Sequence, residues 1–110
     1  MPTLFTRIIN GEIPGDIVYQ NDHVVAFRDI APQAPVHIVL VTREETPGLD
    51  ALPASGDHQH LLDAVAKVAA VVGLTSYRVV INTGEDAGQT VRHLHAHILG
   101  GRDLGPVVGS

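Results

Sequence analysis

Three histidines alternate with apolar residues near the carboxyl end of the chain, in the stretch VRHLHAHILG at 91–100. Successive side chains of a β-strand point to opposite faces, so His93, His95 and His97 would share one face of such a strand. The apolar residues between them would share the other face, which is the natural one to bury in a core. The histidines are therefore available for chemistry, and both metal binding and nucleophilic attack fit the pattern.

Metal binding by this histidine row is the first possibility. Alternate residues of a strand lie roughly 6.5–7 Å apart at their Cα atoms, and imidazoles can converge on zinc from that spacing. However, no Asp or Glu is interleaved with them, and the chain has no cysteine. Another pair, His58 and His60, lies at the start of a predicted helix and points to different sides, so we expect solvated surface there. We expect no metal site, although the residues alone leave zinc binding by the row open.

Nucleophilic catalysis is the second possibility, because a neutral imidazole is well populated near its ordinary pKa of about 6.5. A phosphoryl-histidine intermediate divides a difficult displacement into two easier steps, while neighbouring imidazoles bind phosphate oxygens or carry protons. The preceding loop, GEDAGQT at 84–90, suits a phosphate. Its Gly84 and Gly88 let the backbone approach a ligand closely, and the N–H groups at 89–91 and the Thr90 hydroxyl are candidate donors. This chemistry needs no metal or other cofactor.

Length and composition narrow the class of protein. The chain has 110 residues, 45% of them hydrophobic and 17% charged, which is typical of one globular domain. Its net charge of −5 argues against binding long nucleic acid, which requires basic residues to neutralise phosphates. No apolar run reaches the roughly 20 residues of a membrane-spanning helix, and no signal peptide is recognised, so we expect a cytoplasmic protein without membrane contact.

The hydrophobic pattern predicts an α+β fold: a mostly antiparallel sheet of about five strands, one main helix and a short N-terminal helix. The predicted helices cover 3–10 and 57–72, and the predicted strands cover 17–20, 23–29, 36–42, 76–82 and 90–99. The nearly continuous apolar run at 36–42 is typical of a central strand buried on both faces. We expect a single domain over 1–110, with loose termini at 1–3 and about 103–110.

The main helix is predicted to begin after a cap at Ser55 and to end at Gly73. The segment before it, 43–56, is polar and interrupted by two prolines, which predicts a crossing loop with at most a short helical turn. The predicted apolar face of the helix consists of Leu61, Leu62, Val65, Val68, Ala69 and Val72.

HLHAHIL resembles the signature of the histidine triad family, in which histidines alternate with apolar residues. The resemblance continues through GQTVRHLHAHILGGRDL, VVAFRDIAPQAPVHIVLV and LFTRIINGEIPGDIVYQND, and it is weakest at 43–60 and 103–110. It is closest to the Hint-like branch, the purine nucleoside phosphoramidases. It implies a HIT-like fold and a homodimer in which the main helix and a strand edge meet their copies.

The resemblance also implies roles for individual residues. His95 would attack the α-phosphorus of a purine nucleoside 5′-monophosphate derivative, and hydrolysis of the nucleotidyl-histidine would release AMP or GMP. The main-chain carbonyl of His93 would orient the His95 ring. His97 and Thr90 would contact the phosphate or the leaving group, and His37 is the outlying fourth histidine of the site. The implied nucleotide-binding residues are Asp29 for the ribose, Asn82, Gly88, Gln89 and Val91 for the phosphate, and Phe5, Ile8, Ile9, Ile13 and Ile30 for the purine.

Some features depart from the family pattern. Thr90 stands where this branch usually has serine, and the chain lacks the tryptophan and the zinc-binding cysteines found in some relatives. Diadenosine polyphosphate hydrolysis uses the same nucleophile and remains an alternative activity. A non-catalytic nucleotide-binding or interaction module is a further alternative, although all three histidines are intact.

Overall fold

The computed structural model describes residues 2–107, which form a five-stranded antiparallel sheet with a helix packed on each face. The ends of the predicted loose termini, residue 1 and residues 108–110, lie outside the described residues. The elements in chain order are α1 (Leu4–Ile9), β1 (Ile17–Gln20), β2 (Val24–Arg28), β3 (Val36–Thr42), α2 (His58–Val71), β4 (Tyr77–Val80) and β5 (His95–Gly100). The strand order is β1-β2-β3-β5-β4. The predicted α+β class is confirmed.

Strand β3 lies at the centre of the sheet and contributes buried side chains to both faces, as its continuous apolar run predicts. Ile38 and Leu40 pack against α2, while Val39 and Val41 pack beneath α1. Pairing with β5 places Val41 opposite His95 and Val39 opposite His97. Because directly paired residues share a face, the two strand histidines lie on the α1 side.

Helix α2 covers the other face with most of its predicted apolar residues. Leu61, Val65, Val68 and Ala69 are buried, but Leu62 is 61% exposed, so its predicted burial is wrong. It lies one residue beyond the stripe that faces the sheet. The predicted cap at Ser55 is also wrong, because Asp57 is the N-cap residue and its side chain makes no capping hydrogen bond.

The last strand is shorter than predicted, beginning at His95 rather than at 90. The chain bends just before it, where the N–H of His93 donates to the carbonyl of Val91. The N–H of Leu94 then donates to Thr46, in the loop after β3, and not to a strand partner. His93 therefore precedes the strand, although Leu94 remains in the α2-side core as expected.

Strands β1 and β3 have the predicted bounds, the remaining boundaries differ by one or two residues, and the predicted short helical turn is present at Leu49–Ala51. Gly73 follows α2 with a φ of +78°, a conformation that favours glycine at a helix end. Within residues 2–107, none of the helices has the length and hydrophobicity needed to traverse a lipid bilayer.

Candidate active site

A cavity of about 420 Å³ opens on the α1 side of the sheet, between that helix, the loop after β2 and the histidine strand. Most of the residues that the sequence predicts for the site line it. They are Phe5, Ile8, Ile13, Asp29, Ile30, Asn82, Gly88, Thr90, Val91, His95 and His97. His37 instead lines an adjoining cavity of about 140 Å³, which shares Asn82 and His97 with the first.

His95, at the start of β5, has the proton position of its ring fixed by the main chain. Its Nδ1 lies 2.7 Å from the carbonyl oxygen of His93. Since a carbonyl oxygen only accepts, Nδ1 carries the proton and donates it. Nε2 then holds a free lone pair in a ring that lines the cavity. Phe5 packs edge-on against this imidazole, with the ring centroids 4.8 Å apart, and limits its rotation.

His93 is fully buried behind the cavity, and both of its ring nitrogens are used. Nε2 donates to the main-chain oxygen of Thr42 at 2.6 Å. Nδ1 must then accept, and its partner is the hydroxyl of Thr3 at 2.6 Å. No lone pair of this ring is free for a metal, so zinc binding by all three triad histidines does not fit the structure.

His37 and His97 form a directly hydrogen-bonded pair. The N–H of Gln33 donates to Nδ1 of His37 at 3.0 Å, which places the proton of His37 on Nε2. That Nε2 lies 2.8 Å from Nδ1 of His97 and donates to it. His97 therefore carries its own proton on Nε2. The carboxylate of Asp29 lies 3.4 Å from the same His37 Nε2, and its other oxygen accepts from the N–H of Ala31 at 2.8 Å.

Burial lowers the pKa of His93, His95 and His97 below the ordinary histidine value of 6.5. Desolvation of the charged form is the main cause for all three rings. In His95 the hydrogen bond to the His93 carbonyl opposes the decrease in pKa, whereas in His97 the neighbouring His95 and His37 rings add to it. The three imidazoles are therefore neutral at pH 7, and a nucleophilic nitrogen requires this form.

The sequence profile of the HIT domain matches residues 10–104, which include the histidine strand, Asp29 and the loop at 84–90. The chain belongs to the HIT family.

Two curated relatives align with nearly the whole HIT chain. An uncharacterized HIT-like protein of Synechococcus elongatus is 54% identical over 107 residues, which cover 93% of this chain and 92% of the relative. The purine nucleoside phosphoramidase of Escherichia coli K12 is 44% identical over 112 residues, with coverage of 96% and 92%.

Solved HIT structures have the same fold. A histidine triad protein from Clostridium difficile superposes with a TM-score of 0.88 at 41% identity and covers 94% of each chain. A HIT family hydrolase from Clostridium thermocellum gives 0.88 at 38% identity and covers 96% of each chain. The resemblance inferred from the sequence is confirmed, and so is the predicted fold.

The loop of the HIT chain before the histidines is braced by Gln89, which is 5% exposed and does not line the cavity. Its Nε2 donates to the carbonyls of Pro47 and Val91, and its Oε1 accepts from the N–H of Gly84. Its own N–H donates to the carbonyl of Gly84 at 3.1 Å. The predicted phosphate contact from Gln89 is therefore replaced by a structural role, because these hydrogen bonds already use its polar groups.

The next residues of the loop do face the cavity. Within residues 2–107, the N–H groups of Thr90 and Val91 donate to no other group, and both residues line the cavity. Gly88 has a φ of +95°, which lets the chain turn sharply into this segment. The donors available to an anion are thus the N–H groups at 90–91 and the Thr90 hydroxyl.

The apolar part of the cavity is formed by one side of α1 and by the loop after β2. Phe5 and Ile8 line it, while Ile9 packs against the buried cluster beneath α1 and not against the cavity, because successive helical residues point about 100° apart. Ile30 lies at the opposite rim and is 95% exposed. An apolar group seated between Phe5 and Ile30 would cover this side chain.

Two residues that the sequence did not predict for the site support the histidines from behind. Thr3 caps α1, with its hydroxyl accepting from the N–H of Thr6, and the same hydroxyl donates to His93. The N–H of Thr3 donates to the carboxylate of Glu45 at 2.9 Å. Hydrogen bonds from the Thr6 side chain and the Thr3 main chain lower the pKa of Glu45. The helix-start pattern indicates Thr3 as a cap, but nothing in it indicates a partner 90 residues away.

A group of possible metal ligands lies where the two cavities adjoin. Asp29, His37 and His97 each offer one ligand atom, and these atoms lie within 4.8 Å of one another. Two of the atoms are the nitrogens of the 2.8 Å hydrogen bond between the histidines. That bond satisfies both rings without an ion, and it aligns them for proton transfer instead.

Proposed function

We propose that this chain hydrolyses purine nucleoside 5′-phosphoramidates, or related compounds that carry another leaving group on AMP. The proposal rests mainly on the ring of His95, which lines the cavity. Its proton is fixed on Nδ1, so Nε2 has a free lone pair. The phosphoramidase of Escherichia coli, which is 44% identical across 96% of this chain, supports the same class of substrate.

The reaction proceeds in two displacements at phosphorus. Nε2 of His95 attacks the α-phosphorus, the new N–P bond forms, and the bond from phosphorus to the leaving amine breaks. Water then attacks the phosphorus of the nucleotidyl-histidine, which releases the nucleoside monophosphate and returns the neutral imidazole. The His93 carbonyl stabilises the positive charge that develops on the ring, because its oxygen accepts the hydrogen bond from Nδ1, 2.7 Å away.

His97 is the hydrogen-bond donor to the leaving group in this proposal. Its proton lies on Nε2 because His37 donates to its Nδ1 at 2.8 Å. The leaving amine takes its proton from water, so His97 keeps its Nε2 proton, stays neutral and remains hydrogen-bonded to His37 through the step. In the second displacement the attacking water returns a proton to the solvent, so protons balance over the two steps.

The remaining lining residues hold the nucleotide. The N–H groups at 90–91 and the Thr90 hydroxyl bind the phosphate oxygens, together with the Asn82 side chain. The Asp29 carboxylate accepts hydrogen bonds from the vicinal ribose hydroxyls. The purine lies between α1 and Ile30, where apolar side chains suit a flat ring.

We also propose that the chain acts as a homodimer. Strand β4 is an edge of the sheet and has only four residues. Tyr77 and Val79 are more than a third exposed there, and Leu62 and Val71 on the outer face of α2 are 61% and 58% exposed. A second copy that extends the sheet would cover these apolar groups and pair the open edge. Light scattering that gives a monomer at micromolar concentration would refute this arrangement.

A burst assay with a fluorogenic adenosine 5′-phosphoramidate tests the proposed reaction. The parent and His95→Ala are compared with EDTA present throughout. We expect metal-independent hydrolysis by the parent and a loss on the order of 10³-fold or more in the variant.

Other results would point to other functions. Activity on diadenosine polyphosphates but not on the phosphoramidate would select the alternative hydrolase. An inactive parent that still binds AMP would indicate a nucleotide-binding module. Loss of activity in EDTA would contradict nucleophilic attack by an unassisted histidine.

A further inference from the structure

A second group of histidines lies on the α2 side of the molecule, away from the cavity. His23, in the turn between β1 and β2, stacks on His60, in the first turn of α2. Asp57, the N-cap residue of α2, completes the group, here called the hairpin–helix cluster. One ligand atom from each residue lies within 4.8 Å of the other two.

The two imidazoles stack face to face, closer than aromatic pairs usually lie, and they would turn out of this parallel arrangement to bind one ion. Their centroids are 3.5 Å apart and their planes differ by 4°. Aromatic pairs favour offset or edge-on arrangements with centroids about 4.5–7 Å apart. Within residues 2–107, the ring nitrogens of His23 and His60 have no hydrogen-bond partner, and the nearest carboxylate oxygen, of Asp57, lies 4.0 Å from Nδ1 of His23. The lone pairs of both rings are therefore unused.

The backbone holds the three side chains together. The N–H of His23 donates to the Asn21 side chain at 2.8 Å, and the His23 carbonyl accepts from the N–H of Arg43 at 2.9 Å. Asp57 and His60 are three residues apart at the start of α2, so they lie on the same face of the helix. Asp57 makes no capping hydrogen bond, so its carboxylate remains free to act as a ligand.

We propose that the hairpin–helix cluster is a zinc site. Two imidazoles and one carboxylate are ligands that Zn²⁺ accepts in tetrahedral geometry, with water in the fourth position. Ca²⁺ and Mg²⁺ prefer oxygen ligands and are disfavoured by the two nitrogens. Bound zinc would join the amino end of α2 to the β1–β2 turn. It would stabilise the folded chain, because the unfolded chain does not bring the three ligands together.

Zinc titration of metal-free protein, by competition with a chromophoric chelator, tests the site. The variants are His23→Ala and His60→Ala, with His58→Ala as the matched control, because His58 is exposed on the same helix and lies outside the cluster. His97→Ala separates the cluster from the histidines of the cavity. We expect one zinc per parent chain, and a weakening of at least about tenfold in each cluster variant, since each loses one of three protein ligands.

A thermal melt gives an independent readout. Zinc is expected to raise the Tm of the parent, His58→Ala and His97→Ala, but not that of His60→Ala, while Ca²⁺ and Mg²⁺ leave all four unchanged. The metal-free Tm of each variant shows whether it has folded. Zinc affinity and Tm shifts that survive both cluster substitutions would overturn the proposal, and so would a loss of zinc binding in His97→Ala alone.

Discussion

The hydroxyl of Thr3 lies 2.6 Å from Nδ1 of His93, and this hydrogen bond joins residues 90 positions apart in the chain. The same hydroxyl caps α1, so one side chain fixes both the helix that forms the apolar wall and the histidine whose carbonyl orients His95. The wall of the cavity and the His95 ring are thus positioned by the same side chain.

Thr3→Val removes this hydroxyl while keeping the shape of the side chain. We expect a loss of about 1–3 kcal/mol in the free energy of unfolding, because buried Nδ1 of His93 loses its partner and α1 loses its cap. Urea unfolding measures the change. Thr3→Ser is the control, since it retains the hydroxyl and should stay near the parent value. A Thr3→Val protein as stable as the parent would show that the hydrogen bond contributes nothing.

The lowered pKa values of the triad histidines predict how stability depends on pH. The unfolded chain binds protons on these rings below about pH 6.5, whereas the folded chain does so only at lower pH. Their neutral state therefore favours folding fully above about pH 6.5, and the contribution is lost as the pH falls through the folded pKa values. We expect the free energy of unfolding to decrease between about pH 6.5 and pH 5, in urea titrations at several pH values. An increase over that range would contradict the assignment.

Gln89→Leu tests whether this residue holds the loop at 84–90 in place. The carbonyl of Pro47 and the N–H of Gly84 would lose partly buried hydrogen bonds, each of which typically contributes about 0.5–1.5 kcal/mol. We expect a lower Tm and a higher KM for the phosphoramidate, because the N–H groups at 90–91 lose their fixed position. Gln89→Glu keeps the acceptor for Gly84 but not the donor to Pro47, so an intermediate Tm is expected. An unchanged KM in Gln89→Leu would show that the position of this loop does not affect substrate binding.

Ile30→Ser tests the apolar rim of the cavity. The side chain is 95% exposed in the free protein, so its removal should change stability by less than about 0.5 kcal/mol. If a purine covers it, KM should increase several-fold while kcat changes little, because the contact is the same in the ground state and the transition state. Leu49→Ser, at an exposed site outside the cavity lining, is the control. Equal KM values for the two variants would show that Ile30 does not contact the substrate.

Local pattern was sufficient to predict most of the fold. The continuous apolar run of β3, the apolar stripe of α2 and the glycine after that helix are each properties of a short stretch, and the structure has all three. The bend that takes His93 out of the last strand was not predictable in this way. It depends on the hydrogen bond from Leu94 to Thr46, which lies in a loop 48 residues earlier.

Prediction of the site was best for the residues that line the cavity and poorest for those that support it. His95 and His97 stand out by type and spacing, whereas Asp29 was predicted only through the family resemblance. Thr3 and Gln89 are common surface residues, and only their tertiary partners give them a role. The stacking of His23 on His60 is of the same kind, since neither residue suggests the other in the sequence.

The alternation along β3 has a consequence for how this protein can vary. Val39 and Val41 support the cavity, whereas Ile38 and Leu40 pack only against α2. Substitutions beneath α2 can therefore adjust the stability of the chain with little effect on the histidines, and the cavity on the α1 side can be reshaped without disturbing the larger core. Thermal tolerance and substrate preference are thus free to diverge independently among chains with this fold.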